Sequence, residues 1–527
     1  MKLYIVILVL LLSACAKKGS PDGGPKDESV PVLVIAKPAY KTVNFKEKNI
    51  RFNFDEYIVL RDLTRKLIIS PPLKNPPLIT PQGIATKFLD IEILDTLKEN
   101  TTYTFNFGDA IEDNNEGNKI DDFKYVFSTG SYIDSLYTRG SITDAFEGKL
   151  KKNVNVVLYA IDSMYNDSTF LKQKPTYVTN TKDSVNFEFS NLKKGKYFIM
   201  ALDEESSDYI FNPTIDKVGF LKDTITLPMD TVINKTISVF KERQSYKFKK
   251  GKQVVNGKIQ FGFIGEQKDM KVTLMSEVPE GFKSFTELEK DKDTLNYWHT
   301  PVELDSLNFI VSNGSVLDTL TVKLRKEEID SLLVSSTLKE TLNLLDTVYL
   351  STNNPIVSFD KTKFFLEADS LSLDYTLKKK TINKLALIFE KKPKTNYKLS
   401  VLPNAIIDVY ETSNDSLNYK FKTLEKEDYG SISLKIENET GSNIILHLLD
   451  NAGVIKTVYI EGSKEEVQFS LLEPKEYTVR AILDVNSNNV WDTGNFLNKV
   501  APEQVIYYDE IIKLRANWTI NESFIIK

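Results

Sequence analysis

The chain has 527 residues, a formal net charge of −5 and a single cysteine. That length holds about three to five domains, and the charge argues against a nucleic-acid footprint, because no Lys/Arg block reverses it. With one cysteine no disulfide can form within the chain, so stability must come from cores of ordinary size.

Met1-Lys2 supplies a positive charge, and Leu3 to Leu12 is almost wholly apolar. A ten-residue helix at about 1.5 Å per residue cannot cross a hydrocarbon core of about 30 Å, so this run is a signal-peptide core and not a membrane span. Leu12-Ser13-Ala14-Cys15 resembles the lipobox of bacterial lipoproteins. The resemblance implies cleavage before Cys15 and acylation of its thiol, which makes a lipid anchor and removes the thiol from catalysis. Residues 1–14 are then the leader and 15–30 a flexible tether, rich in Gly and Pro between Gly19 and Asp27. Ala16, not Asp, follows the cysteine, which by analogy with enteric lipoproteins favours the outer membrane and leaves the membrane face undecided. No second run approaches membrane length, so the remainder reads as soluble.

Beyond the tether, strand signals dominate. Ile50 to Phe54, Tyr103 to Phe107, Val185 to Phe189 and Ile432 to Ile436 alternate apolar with polar residues. Period-two runs broken by Gly, Pro, Asn and Asp at intervals of about ten residues point to an all-β chain of sandwiches. Glu327 to Leu342 is the best helical candidate, and a short one.

The chain also repeats itself. Thr102-Tyr103-Thr104-Phe105 with Asp109 to Asp113 matches Asn396-Tyr397-Lys398-Leu399 with Asn404 to Asp408, at an offset of about 294 residues. Gly140-Ser141-Ile142 matches Gly430-Ser431-Ile432, and Gly195-Lys196-Tyr197 running to Asp203 matches Lys475-Glu476-Tyr477 running to Asp484. The order A-B-C-A′-B′ follows, over residues 31–131, 132–240, 241–345, 346–427 and 428–527.

Ala110-Ile111-x-Asp113, Gly117-Asn118 and Phe127-Ser128-Thr129-Gly130 in segment A resemble the bacterial Ig-like domains first known from surface-layer proteins. Phe54-Asp55-Glu56-Tyr57 and Ile69-Ser70-Pro71-Pro72 fit the lipoprotein version seen in Bacteroidetes-like bacteria. Segment A′ lacks the Gly-Asn turn. Segments B and B′ resemble the transthyretin-like, or carboxypeptidase-regulatory-like, sandwich through Gly195-Lys196-Tyr197 and Glu476-Tyr477. These resemblances imply spacer or binding modules, and a fold alone does not fix function.

Candidate chemistry is sparse. The run from Asp484 to Asp492 carries oxygen-bearing side chains at alternate positions, so Asp484, Asn486, Asn488 and Asp492 are expected ligands of a structural Ca²⁺, against the plainer reading of an Asx-rich turn plugged by Trp491. The matching Asp203-x-Glu205-x-Ser207 run is poorer, and Asp113 to Asn118 reads as a turn. His299 and His447 read as core or edge residues, and two histidines with one lipidated cysteine exclude a zinc site or a Cys-His nucleophile. Tyr297-Trp298-His299, or Tyr507-Tyr508 with Trp518, is either core or an aromatic platform for sugar rings. Asp followed by a hydroxyl residue and then usually an apolar one recurs throughout, far above the about two or three occurrences that average usage gives. The triplet resembles the O-glycosylation acceptor of Bacteroidetes-like bacteria, which implies Thr96, Ser135, Ser163, Ser184, Thr294, Ser306, Thr347 and Ser416 as acceptors. It is equally a turn-forming Asp ahead of β formers.

The expectation is a non-catalytic outer-membrane lipoprotein, a structural or binding scaffold whose partners are the membrane and an envelope protein or glycan. The competing reading is a glycan-binding accessory or a carboxylate glycoside hydrolase, for which no acidic pair stands out.

Overall fold

The computed structural model describes residues 27–149, 153–162, 165–166, 168–182, 184–206, 208–289, 292–325 and 330–527. Strands hold 51% of the chain and helical turns 3%, so the all-β reading stands. The described residues divide into two compact units, the first drawn from 1–143 and 150–239, the second from 144–149 and 240–527.

In the first unit, Asn49–Leu60 shows why these segments are strands. Ile50, Phe52 and Phe54 are buried while Arg51 and its alternate neighbours face outward, as the two-residue side-chain period of a strand demands. This strand pairs with Leu33–Lys37, Thr86–Glu92 and Ile111–Asp113, and Leu78–Thr80 completes the sheet. A second sheet, in the order Ile68–Ser70, Thr102–Gly108, Phe123–Ser128, closes over it. Phe52, Phe105, Phe107, Ile91, Tyr125 and Phe127 fill the space between, each at 1% exposure or less. Burying a side chain of this size contributes about 1.5–3 kcal/mol, so the aromatic stack is what fastens the two sheets. The sandwich that follows is built on one sheet. Asn155–Ala160 and Gly195–Asp203 lie in its middle, with Tyr177–Asn180 at one edge and Leu136–Asp144 with Asn186–Leu192 at the other.

The described residues of the second unit form three further groups of sheets. Residues 247–323 give a four-stranded sheet centred on Lys258–Ile264 and Thr294–His299, opposite a three-stranded one centred on Ser306–Asn313, with Phe261, Tyr297 and Phe309 between them. Residues 334–422 give two four-stranded sheets, built on Lys384–Ile388 and Asn396–Val401, with a two-stranded one of Ile356–Phe359 and Ile406–Asp408. Residues 430–526 give the third, in which the last strand, Thr519–Ile526, runs parallel to Gly430–Asn438.

The helix expected over Glu327 to Leu342 is corrected. Residues 326–329 lie outside the described residues, and the described remainder carries the strand Val334–Ser336, paired with Val348–Thr352. Ser335, Ser336 and Thr337 are weak helix formers, and Ser and Thr compete locally for backbone hydrogen bonds, so the neighbouring strand wins.

The internal repeat is a hydrogen-bond pattern as well as a string of letters. In the first unit Thr101 N donates to Thr129 Oγ1 (2.9 Å), that hydroxyl donates to Lys98 O (2.7 Å), and Lys98 N donates to the Tyr103 hydroxyl (2.9 Å). In the second unit Thr395 N donates to Thr423 Oγ1 (3.2 Å), that hydroxyl to Lys392 O (2.5 Å), and Lys392 N to the Tyr397 hydroxyl (2.7 Å). Tyr103 stacks on Phe127 at 5.5 Å, and Tyr397 on Phe421 at 5.2 Å. The second repeated pair behaves likewise: the Tyr197 hydroxyl donates to Lys193 O (2.9 Å) and the Tyr477 hydroxyl to Glu473 O (2.8 Å).

Candidate functional site

The Asp484–Asp492 loop leaves the end of the Glu476–Asp484 strand, and Asp484 is its anchor. At 1% exposure its two carboxylate oxygens accept from Asn488 N (3.0 Å) and Asn489 N (2.8 Å). Ser487 and Asn489 take left-handed backbone angles, φ 58° and 63°, which turn the chain tightly. Asp492 Oδ2 accepts from the amides of Asn486 (2.6 Å) and Asn488 (2.7 Å), and its other oxygen lies 3.5 Å from Arg243. The four residues expected as Ca²⁺ ligands are therefore brought together, but two of them present amide N–H groups to the third. Among the described residues no group of three or more Asp, Glu, His or Cys side chains has metal-holding geometry.

Sequence reasoning missed Glu503, which clamps this loop from the far side. Its carboxylate accepts from Val485 N (2.8 Å) and Asp492 N (2.9 Å), and its carbonyl accepts from Trp491 Nε1 (3.0 Å). Trp491 is half-buried and packs on Phe146 at 4.7 Å. Arg480, at 4% exposure, stands 4.0 Å from the centroid of the Phe146 ring, and donates to His447 Nδ1 (3.0 Å) and to the Tyr507 hydroxyl (3.2 Å). That hydroxyl in turn donates to Phe146 O (3.0 Å). Gly148 fits because a Cβ there would meet the Tyr507 ring at 2.8 Å and φ is +64°. The signal in the sequence was an Arg inside Val479-Arg480-Ala481-Ile482-Leu483, where an apolar residue is expected. Burial, and then the Arg480 charge, push His447 down to about 4, so it is a neutral acceptor.

The matching run in the first unit is organised differently. Ser207 lies outside the described residues. Glu204, not Asp203 or Glu205, is the central group: it accepts from Ser206 Oγ (2.8 Å), Asn155 Nδ2 (3.2 Å) and Tyr209 N (3.1 Å). Burial pushes its carboxyl up to about 7. The Asp113 loop is a turn, as its sequence suggests. Asp113 accepts from the backbone N–H groups of Asn115, Glu116 and Asn118 at 2.7–2.8 Å, and these outweigh its burial and hold its carboxyl below the usual range.

The aromatic-platform alternative at 297–299 is corrected. Tyr297, Trp298 and His299 are 3%, 4% and 1% exposed, so no sugar ring can reach them. His299 stacks on Phe282 at 5.9 Å, and burial lowers its pKa. Tyr507 and Tyr508 do not join Trp518 in a plane either: Tyr507 is tied to Arg480, Tyr508 donates to Glu522 Oε2 (2.7 Å), and Trp518 stands 55% exposed beside Arg515.

Cys15 and Ser163 lie outside the described residues. Of the other hydroxyls in the Asp-led triplets, Thr96, Ser135, Ser184 and Ser416 are exposed, and Thr294, Ser306 and Thr347 are half-buried. Thr294 and Ser306 are the first residues of their strands, and Ser135, Thr347 and Ser416 directly precede theirs. At these five positions the triplet marks a strand start, whereas Thr96 lies in the connection between Thr86–Glu92 and Thr102–Gly108.

Against known proteins, residues 27–129 match the family model described as a bacterial Ig-like domain. The sandwich at the head of the chain is thus similar to a bacterial Ig-like domain. Solved structures similar in parts include domains 4–9 of the surface layer protein SbsC, at 10% identity over 87% of this chain and 66% of that one, TM-score 0.20. Domains A168–A170 of titin match at 12% identity over 46% of this chain and 93% of that one, TM-score 0.14. BcpA, the major pilin subunit of Bacillus cereus, matches at 10% identity over 74% and 99%, TM-score 0.14. Comparison with the curated proteins found no match. Among the described residues no helix is long and apolar enough to cross a membrane.

Proposed function

We propose that this chain is a non-catalytic lipoprotein of the outer membrane, anchored through Cys15, whose five β-sandwiches in the order A-B-C-A′-B′ hold or present surfaces in the cell envelope. The observation that carries the reading is one of position. The Ig-like match begins at residue 27, where the Gly/Pro-rich part of the tether that follows the lipobox-like Leu12-Ser13-Ala14-Cys15 ends. A short apolar leader, an acylated cysteine, a flexible tether and an Ig-like module make a tethered domain. Cys15→Ala should move the protein from the membrane fraction to the soluble fraction and abolish labelling by radioactive palmitate. A variant that stayed with the membranes unlabelled would sink the lipid anchor.

Two finer readings accompany this one. The exposed triplet hydroxyls Thr96, Ser135, Ser184 and Ser416 are acceptors of O-linked glycan, and intact-mass analysis of the native protein should show hexose-sized increments that disappear when each is changed to Ala. The Asp484–Asp492 loop takes a structural Ca²⁺ by turning the Asn486 and Asn488 amides so that their oxygens face inward with Asp484 and Asp492. Millimolar Ca²⁺ should then raise the melting temperature, and Asp492→Asn should erase the rise. An unchanged melting temperature would leave the loop held by its own hydrogen bonds and by Glu503 alone.

A further inference from the structure

The first unit contains a cleft of about 440 Å³ where the Ile68–Ser70, Thr102–Gly108 and Phe123–Ser128 sheet of the Ig-like sandwich faces the strands Tyr177–Asn180 and Asn186–Leu192. Its volume falls within the range of about 300–1,000 Å³ typical of small-ligand sites. Hydrogen bonds across the two walls fix its shape. Val178 N donates to Ser70 Oγ (3.1 Å), Lys174 Nζ donates to Leu73 O (2.8 Å), and Asn191 Nδ2 donates to Asp134 O (2.9 Å) while Asp134 accepts from Thr102 Oγ1 (2.8 Å). Lys182 reaches across one rim to Asp122, which also pairs with Lys124 at 2.6 Å. A cleft whose walls are already cross-linked loses little freedom when a ligand enters.

The chemistry of the lining narrows the ligand. Along Asn186–Leu192 the buried Phe187 and Phe189 alternate with the exposed Asn186, Glu188 and Ser190. The side chains of these three make no hydrogen bond among the described residues, although each is polar and faces the cleft or its rim. They supply an amide, a carboxylate and a hydroxyl in a row along one strand, with spacing of about 6.6–6.8 Å between successive same-face residues. The formal charges of the lining cancel, Asp122 and Glu188 against Lys124 and Lys182, so neither a phosphate nor a metal cation is favoured. Donors and acceptors are mixed, as suits a ligand whose every group is both, which is the property of a hydroxyl. Asn186 and Glu188 also line a second hollow of about 520 Å³ on the other side of the strand, where Arg139 and Ser141 stand, so the polar surface runs on past a single ring.

From this we infer that the cleft is a binding site for a polyhydroxylated ligand, an oligosaccharide of several units, gripped by Asn186, Glu188 and Ser190. The inference does not depend on the lipid anchor, and it names a place for the glycan partner that the sequence left open. The test is saturation-transfer NMR followed by titration calorimetry of the full chain against neutral hexasaccharides: maltohexaose, cellohexaose, laminarihexaose, xylohexaose and chitohexaose. At least one should bind, and Glu188→Ala should weaken it tenfold or more with the melting temperature unchanged. Lys398→Ala, on the strand Asn396–Val401 of the second unit, should leave the affinity as it was. Ser190→Ala and Asn186→Ala, both at exposed positions, keep the test sound if Glu188→Ala fails to fold. Binding of none of the hexasaccharides by the unaltered protein would overturn the inference, as would binding that all three cleft variants leave intact.

Discussion

The two halves of the repeat meet the same structural demand with different residues. In the first unit the residue ahead of Leu192 is Asn191, at φ 58°; in the second its counterpart, ahead of Leu472, is Leu471, at φ 55°. Asn tolerates the left-handed region, and its amide reaches Asp134 O. A leucine gains nothing there and is strained, while its carbonyl is met from outside by Asn343 Nδ2 (3.0 Å). The Asp-led turns diverge in the same manner. Asp113 collects backbone N–H groups through Gly117-Asn118, whereas Asp408 accepts from Thr412 N (2.9 Å), Thr412 Oγ1 (2.6 Å) and Asn354 Nδ2 (2.8 Å). What persists is the carboxylate and the Tyr–Thr hydrogen-bond corner. What drifts is the chain around them, because a buried acceptor must find donors but does not specify which residue supplies them.

The sharpest way to break the parallel is at the stacked rings. Phe127→Ala and Phe421→Ala each remove a buried ring, at 0% and 4% exposure, and should cost about 3–5 kcal/mol by denaturant unfolding. Phe127→Ala should cost more, since its ring meets Phe45, Tyr103, Phe105 and Tyr125. Equal and small losses would mean that the two rings do not fasten their sheets.

The corner hydroxyls come next. Tyr103→Phe and Tyr397→Phe each leave a backbone N–H, that of Lys98 or Lys392, without its acceptor, and should each cost about 1–3 kcal/mol. A double variant whose loss equals the sum of the two would show that the two corners act independently.

Exchanging the left-handed residues should move stability in opposite directions. Leu471→Asn should stabilise by about 1 kcal/mol by removing the strain of a left-handed leucine, and Asn191→Leu should destabilise by at least as much because it also loses the bond to Asp134. Destabilisation by Leu471→Asn would mean that the leucine side chain is held by packing worth more than the strain.

The two units also differ in pH dependence, with opposite signs. The folded His447 lies at about 4, below its ordinary 6.5, so the unfolded chain binds the proton first. Stability of the second unit should fall as pH drops from about 6.5 towards 4, and His447→Gln should lack that slope. The folded Glu204 lies at about 7, above its ordinary 4.5, so its contribution is present below 4.5 and is lost as pH rises towards 7. Glu204→Gln should flatten that rise-dependent loss in the first unit. Thermal melts from pH 4 to 8 on the two variants and the unaltered chain separate the two groups.

Much of the fold was legible because strands write their burial into alternate residues. Ile50-Arg51-Phe52-Asn53-Phe54 and Ile432-Ser433-Leu434-Lys435-Ile436 state both element and face, and the repeated Tyr-Lys-Leu and Tyr-Thr-Phe runs announce the second copy. The stretch before residue 342 was misread because Ser and Thr side chains are ambiguous without the strand they pair with. Asp484, Asn486, Asn488 and Asp492 stand close together because a tight loop converts alternate spacing into proximity.

The sequence by itself determined the all-β class, the repeat, the turn carboxylates and the alternation that sends Asn186, Glu188 and Ser190 outward, because each is a matter of local backbone period and local hydrogen bonding. Only tertiary structure decided that Glu503 closes the 484–492 loop, that Arg480 holds Phe146, that Tyr297, Trp298 and His299 are inaccessible, and that two strands of one sandwich face three of another across a polar cleft. These depend on residues tens to hundreds of positions apart, whose meeting is set by how sheets pack and not by any spacing along the chain.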